Sequence, residues 1–283
     1  RFFSSIENNN YINEFNKKIN SEYLYIDFNS IVYITHKHVI KDLNYVLLQI
    51  IKEENNDKKA ELICKKYNIE KKDKIESYLK QITNDFLIKV IVNNTEEYIT
   101  DKILESYIIT DKLKYFYIAI DGVPSYSKIN EQKKRRYLSP IQVGIQNKVF
   151  EKHENELKKN KKKYLYEKNK IHWNTGNISP GTNFMYEMDK KLSSIEFKNK
   201  IKKICINLEK YTFSGVYQPG EGEKKIVNDL RSLKGDKGNY VIYSPDGDVI
   251  VLSLLLNNEF NKDNKQKISS LKMFRHNQQK KKY

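Results

Sequence analysis

Residues 115–124 read YFYIAIDGVP, a continuous apolar run that ends in an aspartate, a glycine and a proline. Residues 23–26 and 240–243 form similar runs, and acidic residues follow each of them. Such runs, without polar alternation, are typical of strands in a parallel sheet that is covered on both faces. The carboxyl ends of parallel strands meet at one edge, so we expect the acids that follow to form one cluster. These acids are Asp27, Asp121, Asp246 and Asp248.

The composition indicates a folded, basic protein. The 283 residues, 39% of them hydrophobic, are enough for one large α/β domain or two modest ones. The 52 Lys and Arg against 36 Asp and Glu suggest a polyanionic partner such as nucleic acid. Much of this excess lies in residues 152–170 and 262–283, where lysine runs also fit a solvated surface or a tail.

The cysteine and hydropathy patterns exclude several classes. Cys64 and Cys205 are the only cysteines, so we expect neither a disulfide framework nor a cysteine zinc site. A reducing compartment fits, and we expect an intracellular protein, in the cytoplasm rather than the nucleus. No apolar run is long enough for a membrane span. Because the chain starts at Arg1 rather than at methionine, we expect a fragment or a processed product.

The segments between the runs predict helices. Residues 30–114 favour several helices with turns near 53–59 and 93–95. Residues 141–170 begin as a helical pattern and become lysine-rich, which predicts an exposed helical insertion or a loop. Ser179 is expected to cap a helix that has Pro180 at its first position. Residues 276–283 are expected to be disordered.

A second acidic motif, PGEGEKKI, occupies residues 219–226. We expect Gly222 to permit an unusual backbone between Glu221 and Glu223 at the start of a helix. Acids are also favoured in a first helical turn by the macrodipole alone, so the motif has a purely structural alternative. If these glutamates join the four aspartates, the six carboxylates would need divalent cations to offset their repulsion. Oxygen ligands favour Mg²⁺ or Mn²⁺, and two ions can serve phosphodiester hydrolysis.

Directly after Asp121, residues 125–137 predict a helix with basic and amide side chains along one face. Arginine can form bidentate hydrogen bonds with a terminal phosphate, so this face could be a phosphate pocket. A solvated basic face is the alternative. The residues on this face are Lys128, Gln132, Arg135 and Arg136.

Five motifs, in this order, together resemble the amino-terminal nuclease region of the XRN family of 5′→3′ exoribonucleases. They are YLYIDFNSIVY (23–33), YIAIDGVPSYSKINEQKKRR (117–136), NISPGTNFM (177–185), PGEGEKKI (219–226) and SPDGDVIVLSLL (244–255). The resemblance implies an α/β fold with a PIN/FEN-like nuclease core, in which helices flank a central, mostly parallel sheet. It implies a nuclease domain over residues 1–256 with a lysine-rich insertion at about 152–170. Residues 257–283 would then be a basic tail or the truncated start of a following region.

The resemblance also implies an activity and a site. The expected enzyme is a metal-dependent exoribonuclease that hydrolyses single-stranded RNA with a 5′-monophosphate to mononucleotides, with two Mg²⁺ or Mn²⁺ ions. The basic helix face would accept the 5′-phosphate, and Tyr33 would stack on the terminal base where the family has a histidine. The carboxylates expected to hold the ions are Asp27, Asp121, Glu221, Glu223, Asp246 and Asp248.

Some features depart from the family pattern and keep alternatives open. The family has a histidine at the position of Lys224, and its seventh aspartate, in a later part of the chain, has no counterpart in a matching motif here. A catalytically impaired RNA-binding or scaffold homologue is therefore one alternative, and a flap-type structure-specific DNA nuclease is another. The sequence names no protein partner.

Overall fold

A parallel β-sheet forms the centre of the protein. The structure, a computed structural model, describes residues 18–54, 57–233, 238–262 and 270–274. Within these residues, five strands lie in the order β3-β2-β1-β4-β5, and every neighbouring pair is parallel. This confirms the α/β class and the three predicted strands, and it adds β3 and β5. The strands are β1 (Tyr23–Asp27), β2 (Tyr115–Ala119), β3 (Lys210–Ser214), β4 (Asn239–Tyr243) and β5 (Ser270–Phe274).

Helices connect and cover these strands. Between β1 and β2 lie α1 (Asn29–Lys52), α2 (Lys58–Tyr67), α3 (Ile75–Leu79), α4 (Asn84–Glu97) and a π-helix (Tyr98–Glu105). Between β2 and β3 lie α5 (Tyr126–Lys152), α6 (Glu154–Lys158), α7 (Lys161–Asn169), α8 (Asn183–Ser193) and α9 (Ile195–Ile204). The other two are α10 (Gly222–Ser232), before β4, and α11 (Asp248–Lys262), after it. None of the helices in the described ranges is long and apolar enough to cross a membrane.

Both faces of the sheet are buried. The larger core lies between one face and α1, α2, α4, α8 and α9, and the smaller core lies between the other face and α10 and α11. The smaller core is rich in tyrosine, and the hydroxyls of Tyr25 and Tyr115 donate to the carboxylate of Asp229 on α10. Covering both faces explains why the central strands lack polar alternation. Cys64 and Cys205 are buried free thiols, as the sequence predicted.

The helical prediction for residues 30–114 is confirmed except at one turn. The chain does turn at Glu53, which has a left-handed backbone with φ of 64°. The turn predicted at 93–95 is wrong, because α4 continues through these residues. The side chains of Asn94 and Thr95 donate to the carbonyls of Val90 and Ile91, one helical turn earlier. These polar groups are therefore satisfied inside the helix, where they do not break it.

The helix cap predicted at Ser179 is also wrong. Helix α8 begins at Asn183, and its cap is Thr182, whose Oγ1 accepts from the backbone N–H of Met185 at 3.3 Å. Ser179 and Pro180 lie in the preceding loop, and Gly181 follows them with φ of 88°. A left-handed residue interrupts a helix, so the first helical turn starts only after the glycine.

The insertion predicted over residues 141–170 is helical and is attached to the core. Helix α5 runs past its predicted end at residue 137 to Lys152, and α6 and α7 follow it. Leu165 and Tyr166 pack against the larger core. Beyond them, Asn44 and Ile171 exchange two buried hydrogen bonds of 2.9 and 2.8 Å. The tail predicted as disordered, residues 276–283, lies outside the described residues.

Candidate active site at the carboxyl edge of the sheet

Two aspartates at the ends of adjacent strands are held by donors from other elements. Asp27, the last residue of β1, is buried, and its Oδ2 accepts from the Ser244 hydroxyl at 2.7 Å. Asp121 follows β2 by two residues. Its Oδ1 accepts from the backbone N–H of Gly222 at 2.7 Å, and its Oδ2 accepts from the Asn29 amide at 2.9 Å. The two carboxylates therefore have fixed orientations.

Gly222 brings the start of α10 against both aspartates. A Cβ at this position would lie 3.1 Å from the Ala119 carbonyl oxygen, 3.1 Å from Oδ1 of Asp27 and 3.4 Å from Oδ1 of Asp121. The unusual backbone predicted for Gly222 is wrong. Gly222 is helical, and the positive φ, 106°, belongs to Gly220. Glycine is instead needed at this position because the carboxylates of Asp27 and Asp121 occupy the space that a side chain would take.

The two glutamates of the second motif lie at the start of α10: Glu221 is its N-cap residue, and Glu223 is in its first turn. Glu221 is buried, with Lys224 Nζ 3.0 Å from its Oε2 and Lys128 Nζ 3.4 Å from its Oε1. Burial raises the pKa of Glu221, but Lys224 and Lys128 outweigh it and leave that pKa lowered. Burial raises the pKa of Glu223, and so do the charges of three neighbouring carboxylates, those of Glu221, Asp246 and Asp248.

Asp246, in the turn after β4, and Asp248, the first residue of α11, complete the acidic edge. Both are exposed. The N–H of Asp246 donates to the Ser244 hydroxyl at 3.1 Å, and the N–H of Asp248 donates to Oδ1 of Asp246 at 3.1 Å. Ser244 thus contacts both Asp27 and the backbone of Asp246, which joins this turn to β1.

The six acids form one electrostatic group. Burial and, to a smaller extent, the charges of Asp121, Asp246 and Glu223 together raise the pKa of Asp27 to about 7, against the hydrogen bond from Ser244. Burial and the charge of Glu221 raise the pKa of Asp121 as well, while the Gly222 hydrogen bond lowers it. The structure therefore brings all the predicted acids to one edge of the sheet. Their role as ligands stays a prediction.

The donor set suits a hard divalent cation, since every predicted ligand is a carboxylate oxygen. Oδ1 of Asp27 and Oδ1 of Asp121 both lie within 3.4 Å of the point where a Gly222 Cβ would stand. Within the ranges that the structure describes, however, no three His, Cys, Asp or Glu side chains are grouped tightly enough to hold one ion. The chemistry and mutual coupling of the acids fit a metal, and the distances do not by themselves define its position.

Of the predicted substrate-binding residues, one is seen to contact the acids. Lys128, on α5, contacts Glu221. The backbone of Gln132, Arg135 and Arg136 belongs to the same helix, but their side chains lie outside the described part of the structure. Tyr33, on α1, has 44% of its surface exposed, and its ring meets His36 edge-on with the centroids 5.9 Å apart.

Sequence reasoning missed the residues that support the acids. Asn29 and Ser244 hold Asp121 and Asp27, and each lies next to a predicted acid or strand end. Lys225 was not singled out from the sequence, but it is buried and its ammonium donates to the carbonyl of Ile120. Its position three residues after Gly222 puts it on the helix face that approaches the sheet, and this spacing could have identified it.

Comparison with known proteins shows which family this chain resembles. Residues 77–261 match the profile of the family described as "XRN 5'-3' exonuclease N-terminus". The chain is 32% identical over 151 residues to 5'-3' exoribonuclease 1 of Saccharomyces cerevisiae. It is 33% identical over 155 residues to 5'-3' exoribonuclease 2 of Candida glabrata, and 31% identical over 147 residues to 5'-3' exoribonuclease 1 of Homo sapiens.

These alignments cover half of this chain but only a small part of each relative. They include 9% of the yeast enzyme, 14% of the Candida enzyme and 8% of the human enzyme. The aligned region therefore corresponds to a limited segment of much longer proteins.

Proposed function

Because the chain belongs to the XRN family of 5′→3′ exonucleases, we propose that it contains the active site of a metal-dependent exoribonuclease. The proposed substrate is single-stranded RNA with a 5′-monophosphate, and the proposed product is a mononucleotide. The relatives it resembles are 5'-3' exoribonucleases by name. The six carboxylates at the end of the parallel sheet are the proposed site.

The observation that carries this proposal is the contact between Lys128 and Glu221. It joins α5, the helix with the predicted basic face, to the N-cap of α10, where the acids are grouped. A substrate with a charged 5′-end needs cationic groups for its phosphate next to the group that hydrolyses the following bond. The contact between Lys128 and Glu221 places a cationic side chain directly beside an acidic one.

In this proposal the chain's own residues bind and orient the RNA. Lys128, Gln132, Arg135 and Arg136 bind the terminal phosphate, and Tyr33 stacks on the first base. The carboxylates of Asp27, Asp121, Glu221, Glu223, Asp246 and Asp248 would hold two Mg²⁺ or Mn²⁺ ions. When bound, such ions activate a water and stabilise the leaving oxygen. Asn29, Ser244 and the Gly222 N–H keep the aspartates oriented.

The direct test replaces Asp121 by asparagine. Asp121→Asn preserves the side-chain shape but removes one negative charge, so release of mononucleotides from 5′-phosphorylated RNA in Mg²⁺ should fall at least about a hundredfold. The exposed Asp73→Asn variant is the control and should keep wild-type activity. Full activity of Asp121→Asn would remove this aspartate from the site. Parallel assays on a 5′-flap DNA separate an exoribonuclease from a structure-specific DNA nuclease.

A second candidate is an RNA-binding homologue without turnover. The observation in its favour is that no three potential ligands of the described residues are grouped closely enough for one ion. Such a protein would bind 5′-phosphorylated RNA equally well in EDTA and in Mg²⁺ and would release no nucleotide. Measuring affinity and turnover on the same sample decides between the two.

A further inference from the structure

One buried lysine lies next to the acidic edge, and within the described residues it forms no ion pair with a carboxylate. Lys225, in the first turns of α10, is 8% exposed. Its ammonium donates to the carbonyl of Ile120 at 2.7 Å and to the carbonyl of Gly215 at 2.9 Å. Ile120 directly precedes Asp121, and Gly215 directly follows β3. A single side chain therefore ties α10 to the ends of two neighbouring strands.

The surroundings of Lys225 offset only part of the cost of burying its charge: burial lowers the pKa of Lys225 to about 8, and the charges of Asp121 and Asp189 oppose that shift. Burying an ammonium is unfavourable unless hydrogen bonds and opposite charges offset the lost hydration. Asp121 and Asp189 supply the nearby negative charge. Asp189, on α8, also accepts from the Val216 N–H at 2.8 Å, so it holds the loop that presents the Gly215 carbonyl.

The position of Gly215 shows how tightly this region is packed. A Cβ on Gly215 would lie 2.1 Å from Oδ1 of Asp189, which leaves no room for a side chain. The loop after β3 therefore packs between the carboxylate of Asp189 and the ammonium of Lys225. The carbonyls that Lys225 binds cannot move outward without losing these contacts.

The same lysine lies at one end of a chain of contacts that reaches the acids. The Gly222 N–H donates to Asp121, and the Gly122 N–H donates to the Gly220 carbonyl at 2.9 Å. Both bonds join the exit of β2 to the start of α10. Lys225 adds to this junction through its hydrogen bond to the carbonyl of Ile120, the residue that precedes Asp121.

We propose that Lys225 is a positioning residue, which sets the carboxylate of Asp121 against Glu221 and Glu223 by clamping the end of β2 to α10. Its effect on hydrolysis rests on the proposed function. The clamp itself is a property of the fold and can be measured without any metal or RNA.

The experiment compares Lys225→Met with the wild type by hydrogen–deuterium exchange in EDTA. Methionine keeps the length of the aliphatic stem and removes the donors. Exchange at the amides of Gly222 and Gly122 should become at least tenfold faster, while the amides of β1 keep wild-type rates. Lys203→Met, at an exposed position on α9, is the control and should leave all these rates unchanged.

The second readout is the kinetics of RNA hydrolysis in Mg²⁺. For Lys225→Met, kcat should fall at least tenfold while KM stays within twofold, because the substrate-binding groups are untouched. A variant that merely lost stability would also lower the apparent kcat at unchanged KM, so kcat is calculated per folded molecule, with the folded fraction measured by circular dichroism under the assay conditions. The exchange rates and the kcat of Lys225→Gln, which keeps one donor group, should lie between those of Lys225→Met and the wild type. If Lys225→Met does not fold, both measurements are made on Lys225→Gln instead.

Each outcome decides the proposal. Wild-type exchange at Gly222 and Gly122 overturns it, as does faster exchange spread equally over β1, which would mean a role in global stability. Faster local exchange with an unchanged kcat also overturns the positioning role. If the wild type hydrolyses no RNA, the proposed function fails, and the exchange data still decide whether Lys225 clamps the junction.

Discussion

The ammonium of Lys128 lies 3.4 Å from Oε1 of Glu221, and that of Lys224 lies 3.0 Å from the other oxygen of the same carboxylate. Glu221 is therefore shared between a lysine of α5 and a lysine of its own helix. Lys128 keeps about a third of its side chain exposed, whereas Glu221 is largely covered. Lys128, at the start of α5, therefore lies at the border of the acidic edge.

Replacing Lys128 should weaken the preference for phosphorylated RNA ends. A charge-assisted hydrogen bond is worth about 1.5–3 kcal/mol, so Lys128→Gln should reduce the ratio of kcat/KM for 5′-phosphate over 5′-hydroxyl RNA about tenfold or more. Lys133→Gln, an exposed position on the same helix, is the matched control. The Arg135→Ala, Arg136→Ala double variant should lower the ratio further. If the ratio is unchanged both in Lys128→Gln and in the double variant, the predicted phosphate pocket is wrong.

Gly222 should not tolerate even one methyl group. In Gly222→Ala the new Cβ would press on the Ala119 carbonyl and on Oδ1 of Asp27, each 3.1 Å away. Because these neighbours are backbone and a hydrogen-bonded carboxylate, the aspartates must shift, and we expect activity to fall at least about tenfold. Assays of Mg²⁺-dependent RNA hydrolysis check this.

Gly144→Ala is the control for that substitution. Gly144 lies in helix α5 with no atom within 4 Å of its ideal Cβ position. Alanine should therefore stabilise the protein by about 0.5–1 kcal/mol through helix propensity, without loss of activity. Thermal unfolding of both variants separates crowding at the site from a general effect of the substitution. Equal activities in the two variants would contradict the role given to Gly222.

The sequence predicted the central strands because their burial leaves a simple pattern. β1, β2 and β4 lie in the middle of the sheet and read as continuous apolar runs. β3, KYTFS, and β5, SLKMF, are edge strands that are only partly buried and that mix polar with apolar residues. A search for continuous apolar runs therefore finds the strands that position Asp27 and Asp121 and misses the edges.

The acids themselves could be predicted, and their supports could not. Asp27 and Asp121 follow from strand ends, since parallel topology alone brings such ends together. The bond between Ser244 and Asp27, in contrast, joins residues 217 positions apart, and no local pattern marks it. Lys225 is an intermediate case, because its spacing from Gly222 indicates the helix face that approaches the sheet, while its residue type is usually solvated.

The stability of the metal-free protein should decrease as the pH rises. The pKa of Asp27 is about 7 in the fold, against an ordinary value of 3.8, so the folded state binds this proton more tightly than the unfolded state. The free energy of unfolding should then fall by up to about 4 kcal/mol between about pH 4 and pH 7 and stay low above it. Urea unfolding in EDTA at a series of pH values measures this decrease.

Two variants test the assignment of that decrease to Asp27. Asp27→Asn cannot ionise, so the decrease should largely disappear and the variant should exceed the wild type in stability at pH 8. Ser244→Ala removes the 2.7 Å hydrogen bond that favours the ionised carboxylate, so the decrease should become larger and extend to higher pH. If Asp27→Asn follows the wild-type profile, another group is responsible for the pH dependence.

Tyr33 should bind RNA through its ring rather than through its hydroxyl. The ring is 44% exposed on α1, the helix that begins two residues after Asp27. Stacking on a base is worth about 1–3 kcal/mol, so Tyr33→Ala should weaken binding of a short 5′-phosphorylated RNA about five- to a hundredfold. Tyr33→Phe keeps the ring and should bind like the wild type. Tyr186→Ala, which removes another exposed tyrosine, on α8, is the control in fluorescence anisotropy with EDTA present. Equal losses in the alanine and phenylalanine variants would assign the contribution to the hydroxyl and contradict stacking.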